Sequence, residues 1–292
     1  MYACENGISD FETMIPPTYR DLLSSKNNKL AAIPVISYGM QEHAIKDLTD
    51  QGYFFLKIKI GHAGTQKEML EKDKTWISFI HNIVGKTHTP HTHDGKIRYY
   101  LDANGRYLEK ENLKSFIDHL YKIGAIDRVA ILEEPFPENA KFDVSDLGVR
   151  IAMDESAHSD KEVLSGIQRG YHAIALKPTA KTLSMTLKIL KIAQANDIPC
   201  FCADLTANPI LVEWNKNIAA RLSPFPGVAF NLLEANGSQN YKHWQDLCRH
   251  DPCYNCSWTP VKNGIFELGA SFYQKNDNIF KPLPYYQKLF NR

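Results

Sequence analysis

The chain alternates between two hydrophobic rhythms. Short apolar runs rich in Val, Ile, Leu and Phe are separated by longer segments in which apolar residues recur every three to four positions. The first rhythm reads as buried strand and the second as amphipathic helix. In chain order the pattern predicts a helix over 1–14 closed by Ile15-Pro16-Pro17, a strand over 32–38, a helix over 42–51 ended by Gly52, a strand over 54–61 and a helix over 66–84. Strands follow over 97–101, 128–132, 149–153, 172–176, 199–203 and 228–233. Helices are predicted between them over 109–123, 160–169, 183–196 and 210–222, with a last one starting near Asn240. The connection over 136–148 is only weakly helical.

Counted from Ile33, this gives eight strands, nearly all separated by helices. Strict alternation is the signature of a parallel sheet, and eight units close naturally into a TIM-type (β/α) barrel. An open doubly wound sheet would normally carry a Gly-rich phosphate loop after its first strand, and none is present. The predicted organisation is an α/β barrel over 31–250, preceded by a helix and loop over 1–30 and followed by a C-terminal segment over 251–292. A length of 292 residues and 43% hydrophobic content suit one large core of this kind.

Within the strand over 54–61, two lysines interrupt the apolar run: Phe54-Phe55-Leu56-Lys57-Ile58-Lys59-Ile60-Gly61. Successive side chains of a strand point to opposite faces, so Lys57 and Lys59 share one face roughly 7 Å apart. Alone, the pattern also suits an edge strand guarded by lysines. Net charge is +1, which gives no electrostatic reason to expect nucleic acid or an anionic membrane as partner. No apolar run is long enough for a membrane span and the N-terminus lacks a signal-peptide pattern, so the cytoplasm is expected. Six cysteines are too sparse for a disulfide scaffold of this size and read as reduced thiols.

Charged residues fall in phase on the strands. Lys59, Asp102, Glu133, Asp154 and Lys177 sit at or near the C-terminal ends of the second through sixth strands, where barrel enzymes build their active sites. Three carboxylates gathered there would repel unless neutralised. A hard divalent cation does so, and Mg²⁺ is the usual occupant of an all-oxygen site. The second and sixth strands would face each other, which sets Lys59 and Lys177 on opposite sides of such an ion.

The set Lys57-x-Lys59, Asp102-x-Asn104, Glu133-Glu134-Pro135, Asp154-Glu155-Ser156 and Lys177-Pro178 resembles the enolase superfamily, most closely its muconate lactonizing enzyme subgroup with the dipeptide epimerases and o-succinylbenzoate synthases. The resemblance covers almost the whole chain. It implies one Mg²⁺ held by Asp102, Glu133 and Asp154, a small-molecule carboxylate as substrate, and Lys59 and Lys177 as bases on either side of the α-carbon, with possible homo-oligomers. A second ammonium about 7 Å from Lys59 costs about 2.4 kcal/mol at an effective dielectric near 20, so Lys57 reads as the residue that tunes Lys59 and helps neutralise an enediolate. Two bases imply epimerisation or racemisation of a dipeptide or N-substituted amino acid. A syn-elimination of the o-succinylbenzoate synthase type and a barrel that binds metal without turnover are the competing readings.

The chain departs from the family pattern in two places. Members carry an α+β capping domain before the barrel, whereas the stretch over 1–10 here already resembles the helix that links cap to barrel, so a truncated chain or a lost cap is expected. Dipeptide epimerases bind the substrate ammonium with Asp-x-Asp at the end of the eighth strand; the matching stretch is Glu234-Ala235-Asn236. Expected substrate contacts are therefore Asn104, Asp204, Glu234 and Asn236, with Asp204 equally suited to cap the next helix. His88, His91 and His93 read as a solvated loop on the opposite face. Cys248, His250, Cys253 and Cys256 lack the second knuckle of a zinc ribbon.

Overall fold

The computed structural model describes residues 2–204, 206–275, 279–280 and 283–290. Two short helices, α1 (Tyr2–Glu5) and α2 (Phe11–Met14), replace the single helix expected over 1–14. Gly7 takes a left-handed φ of 62° between them, and Asp10 starts α2 afresh by accepting the Thr13 N–H at 2.7 Å. The strands β1 (Lys29–Ile33) and β2 (Val35–Ile36) follow, parted by Pro34 alone.

From there strand and helix alternate: α3 (Glu42–Asp50), β3 (Phe55–Lys59), α4 (Gln66–Val84), β4 (Arg98–Asp102), α5 (Lys110–Lys122), β5 (Val129–Glu133) and β6 (Ile151–Met153). Then come α6 (Asp160–Gln168), β7 (Ala173–Leu176), α7 (Leu183–Ala195), β8 (Cys200–Cys202), α8 (Pro209–Ala219) and β9 (Asn231–Glu234). The connection from β5 to β6 holds no helix, in line with its weak pattern. The helix expected from near Asn240 is split into α9 (Gly237–Asn240) and α10 (Trp244–Arg249).

Helix positions follow ordinary sequence rules. α4 opens on a capping box, Thr65 with Glu68, and buries Met69, Trp76, Ile77, Ile80 and Val84. On α5 the buried residues are Leu113, Phe116, Ile117 and Leu120, one face of a 3.6-residue repeat. Each such side chain contributes about 1.5–3 kcal/mol when taken from water, which is what lays the helices on the sheet.

Among the described residues the strands form one 11-stranded sheet. β2 through β9 pair in parallel in sequence order, and β9 also pairs in parallel with β1. The two flanks of the parallel run are thus consecutive pieces of one stretch of chain, and the sheet is curled. Gln239 spans the gap beside Pro34: its side-chain amide accepts from Val35 N at 2.8 Å and donates to Val35 O at 2.9 Å.

A hairpin that the hydrophobic pattern does not assign completes the sheet. β10 (Val261–Lys262) and β11 (Ile265–Glu267) are antiparallel, and β11 lies antiparallel to β1. Asn263 (φ 50°) and Gly264 (φ 72°) form its two-residue turn, the geometry that Asn-Gly favours. The remaining helices are α11 (Gly269–Gln274) and α12 (Pro284–Phe290). Among the described residues, no helix is long and apolar enough to cross a membrane.

Candidate active site

Sheet register brings the charged residues together. Lys59 stands opposite Asp102 on β4, and Asp102 opposite Glu133 on β5. Asp154 and Lys177 each lie one residue beyond the ends of β6 and β7, and Glu234 ends β9. Because side chains alternate along a strand, Phe55, Lys57 and Lys59 share a face. That face looks into a cavity of about 360 Å³ that is also lined by Asp102, Asp154, Lys177, Asp204, Glu234 and Asn236.

Beneath the cavity lies an aromatic floor. Tyr100 meets Phe201 with ring centroids 5.4 Å apart, Phe201 meets Phe225 at 5.6 Å, and Phe225 meets Phe55 at 6.2 Å. All four are fully buried. Lys57 stands over the Tyr100 ring at 4.6 Å and extends its ammonium to three carboxylates: Asp102 at 3.0 Å, Glu133 at 2.9 Å and Glu234 at 3.0 Å. Burial alone would push the Lys57 pKa down, but the three carboxylates outweigh it and the net shift is well upward.

This corrects the electrostatic role expected of Lys57. A free ammonium 7 Å away would weaken the hold of Lys59 on its proton, whereas the charge of Lys57 is answered by carboxylates on three other strands. Lys59 in turn contacts Asp102 Oδ2 at 2.5 Å and donates to Asn104 Oδ1 at 2.7 Å. Lys177 contacts Asp154 Oδ2 at 2.5 Å. Ammonium groups thus supply much of the neutralisation that the sequence alone assigns to a metal.

Residues expected to touch substrate are largely occupied with one another. Asn104 sits at a left-handed φ of 44°, gives its backbone N–H to Asp102 Oδ1 at 3.0 Å and its amide to Glu155 Oε1 at 3.1 Å. Glu234 accepts from Asn236 Nδ2 at 3.1 Å and from the Asp204 N–H at 3.1 Å. Asp204 is not the cap of α8, since Asn208 performs that role; it accepts from Ala207 N at 2.6 Å and Asn236 N at 2.9 Å, tying the ends of β8 and β9 together.

Several positions around the site receive no role in the sequence reading, although Glu134 and Glu155 stand within its motifs. Tyr100 lies under the Lys57 ammonium, Glu155 joins the cavity wall, and Glu134 and Lys181 hold the loop after β6. Alternation could have flagged Tyr100, two residues before Asp102; Glu134 and Lys181 act on backbone atoms of another segment and leave no local signal. Burial holds the Glu134 carboxyl up at about 7, against the pull of its donors from Asp154 and Ser156.

The carboxylates suit a hard cation. Glu133 Oε1 and Asp154 Oδ1 are buried without a hydrogen-bond partner, and all donors of Asp102, Glu133 and Asp154 are oxygens. Burial first, and repulsion from Asp102 second, hold the Glu133 pKa well above its ordinary value; burial also raises that of Asp154. Asp102 is held below its ordinary value by Lys57 and Lys59, although burial opposes them. Among the described residues no three Asp, Glu, His or Cys side chains stand as a ready cage, with Asp102 turned to its two lysines.

Neither side signal forms a metal group among the described residues. His91 packs its ring 4.9 Å from Phe54, while His88 and Thr92 take part in isolated strand bridges. Cys248, Cys253 and Cys256 form no disulfide among the described residues, and His250 stacks on Tyr285 with centroids 3.7 Å apart.

The fold and this site define an α/β protein with lysines and carboxylates gathered at strand ends. The family model described as Enolase C-terminal domain-like matches residues 39–246, and the chain belongs to that family, in agreement with the enolase-superfamily resemblance of its motifs. Comparison with curated proteins gives no significant match. Among solved structures, a mandelate racemase/muconate lactonizing protein from Herpetosiphon aurantiacus is 18% identical with a TM-score of 0.59, covering 74% of this chain and 56% of its own. A dipeptide epimerase from Enterococcus faecalis V583 is 18% identical with a TM-score of 0.62, covering 86% and 66%. A dipeptide epimerase from Methylococcus capsulatus, complexed with Mg ion, is 17% identical with a TM-score of 0.57, covering 76% and 60%. At these identities the likeness is one of fold, and the chain spans less than two thirds of each of these structures.

Proposed function

We propose that the chain removes the proton α to a carboxylate and returns it on the opposite face, epimerising or racemising a dipeptide or N-substituted amino acid. The observation that carries this reading is the placement of Lys59 and Lys177. They enter one cavity from β3 and β7, with Asp102, Glu133 and Asp154 on the three strands between them. We read the curled sheet as the (β/α) barrel that sets these two strands across from each other.

Asp102, Glu133 and Asp154 would hold Mg²⁺, which when bound supplies positive charge for the substrate carboxylate and for the charge that develops as the C–H bond breaks. The Mg ion in the Methylococcus capsulatus structure supports that choice. Lys59 can act as a base only when Asp102 and Asn104 release its ammonium, and Lys177 only when Asp154 does the same. Lys57 stays charged and faces the enediolate from below. The aromatic floor keeps water from that side, which strengthens every electrostatic contact above it.

Deuterium wash-in from D₂O tests the reading, with a panel of dipeptides and N-acyl amino acids and Mg²⁺ present. Exchange at the α-carbon together with change of chirality is expected, and both Lys59→Ala and Lys177→Ala should lose the change of chirality. Change of chirality retained in either variant removes the two-base form, whereas exchange without inversion, confined to the epimer whose proton faces the remaining lysine, is what that form predicts. Release of water without a new stereocentre would favour the syn-elimination of the o-succinylbenzoate synthase type.

A further inference from the structure

We propose that Glu134 and Lys181 form a clamp on the peptide groups of residue 154 and so aim the Asp154 side chain; both are positioning residues for the site. The proposal rests on the reading of Asp154 as part of the site and extends it to two residues that do not line the cavity.

Glu134 is buried, and it sits at a left-handed φ of 37°. Glycine would adopt that backbone without penalty, so a long acidic side chain there calls for a reason in the side chain itself. Its carboxylate supplies one. A single oxygen, Oε2, accepts from Asp154 N at 2.7 Å, Ser156 N at 3.2 Å and Ser156 Oγ at 2.9 Å. The backbone of Glu134 is fastened as well, with its N–H on Ala152 O at 2.9 Å and its C=O accepting from Gly105 N at 2.6 Å.

Lys181 works from the other side. Its ammonium donates to Asp154 O at 2.5 Å and to Ala157 O at 3.0 Å. Residue 154 therefore has its N–H held by an acid and its C=O held by a base. With both peptide groups fixed, the Asp154 carboxylate has little freedom beyond rotation about its own side chain, and it points to Lys177. Outer residues that orient a metal ligand in this way typically change metal affinity by about 10–100-fold when lost.

The convergence on one oxygen makes the idea testable. Glutamine can place its carbonyl oxygen where Oε2 is, so Glu134→Gln should keep the clamp, while Glu134→Met fills the space without an acceptor. In Mn²⁺ titrations by calorimetry, Glu134→Gln is expected to bind within about 3-fold of the native chain, and Glu134→Met and Lys181→Met at least about 10-fold more weakly. In metal-free crystals of Glu134→Met the Asp154–Lys177 contact, 2.5 Å in the native chain, should open. A folded Glu134→Met with native Mn²⁺ affinity and an intact Asp154–Lys177 contact overturns the proposal. So does Glu134→Gln failing as badly as Glu134→Met, since charge rather than hydrogen bonding would then matter. Should Glu134→Met not fold, Lys181→Met decides by the same two measurements. A native chain that binds no Mn²⁺ would sink the metal reading, whereas the clamp is still judged by the metal-free contact.

Discussion

Lys57 offers the sharpest test of how the site is held together, because its charge is buried and answered by three strands. At 3.0 Å and an effective dielectric near 20, a unit pair interacts by about 5.5 kcal/mol, and Lys57 makes three contacts at 2.9–3.0 Å. Desolvating the ions consumes most of that gross attraction, so the pairs add little to stability relative to an apolar core. Removing one partner is different. Lys57→Met would leave Asp102, Glu133 and Glu234 buried without their shared cation, and a broken buried pair costs about 3–5 kcal/mol.

Urea denaturation at pH 7 should report a loss of that size. The loss should shrink toward pH 5, and the sign follows from proton linkage. Without Lys57 the already raised folded-state pKa values of Glu133 and Glu234 rise further above their unfolded values, and that of Asp102 rises from below its own, so the folded chain binds more protons as pH falls. The penalty is then fully present above the folded pKa values and disappears toward the unfolded one, about 4.3 for glutamate. Millimolar Mg²⁺ should restore more stability to the variant than to the native chain. A loss under about 1 kcal/mol at pH 7, or one unchanged at pH 5, would refute the shared-cation account.

Two further changes test the frame around the site. Gly52 takes a φ of 83°, and a Cβ there would lie 2.6 Å from the backbone Cα of Asn263; Gly52→Ala should cost about 2–3 kcal/mol in urea midpoints and free the β10–β11 hairpin for hydrogen exchange. An unchanged midpoint would show that the two turns do not depend on their contact. Thr65→Ala removes half of the capping box on α4 and should cost about 1 kcal/mol, with Thr65→Ser close to native; equal losses in both variants would assign the effect to something other than the cap.

Strand ends were legible because chemistry changes abruptly there. Ile131-Leu132-Glu133 and Ala152-Met153-Asp154 pass from apolar to acidic within a residue, and a parallel sheet leaves such ends on one side. The Asn263-Gly264 turn was also readable, lying as it does between Val261-Lys262 and Ile265, but its strands are too short to carry a rhythm. What a linear pattern cannot carry is partnership at long range. Glu234 looks like a substrate contact in the sequence and is bound to Lys57, 177 residues away. Glu134 looks like half of an acidic pair, and its carboxylate serves the backbone of the next strand's loop. The first helix failed for a local reason, since Gly7 and Asp10 favour a break that the apolar spacing over 1–14 conceals.

The two lysines that interrupt β3 differ by depth rather than by kind. Both reach Asp102 Oδ2, yet the Lys57 side chain is 4% exposed and that of Lys59 is 25% exposed. One two-residue step along a strand, about 6.6 Å, separates them. The deeper lysine rests on an aromatic ring amid three carboxylates, and leaving that position would deprive all three of their shared cation, with Asp102 alone still held by Lys59. The shallower one is held by a single carboxylate and a neutral amide at the cavity wall, so on the proposed reading it is the one that would exchange partners with a substrate. Depth along one strand thus divides a fixed charge from a movable one, the division that the proposed proton transfer would need: a charge that stays to meet the developing anion and an amine that can let go of its own proton.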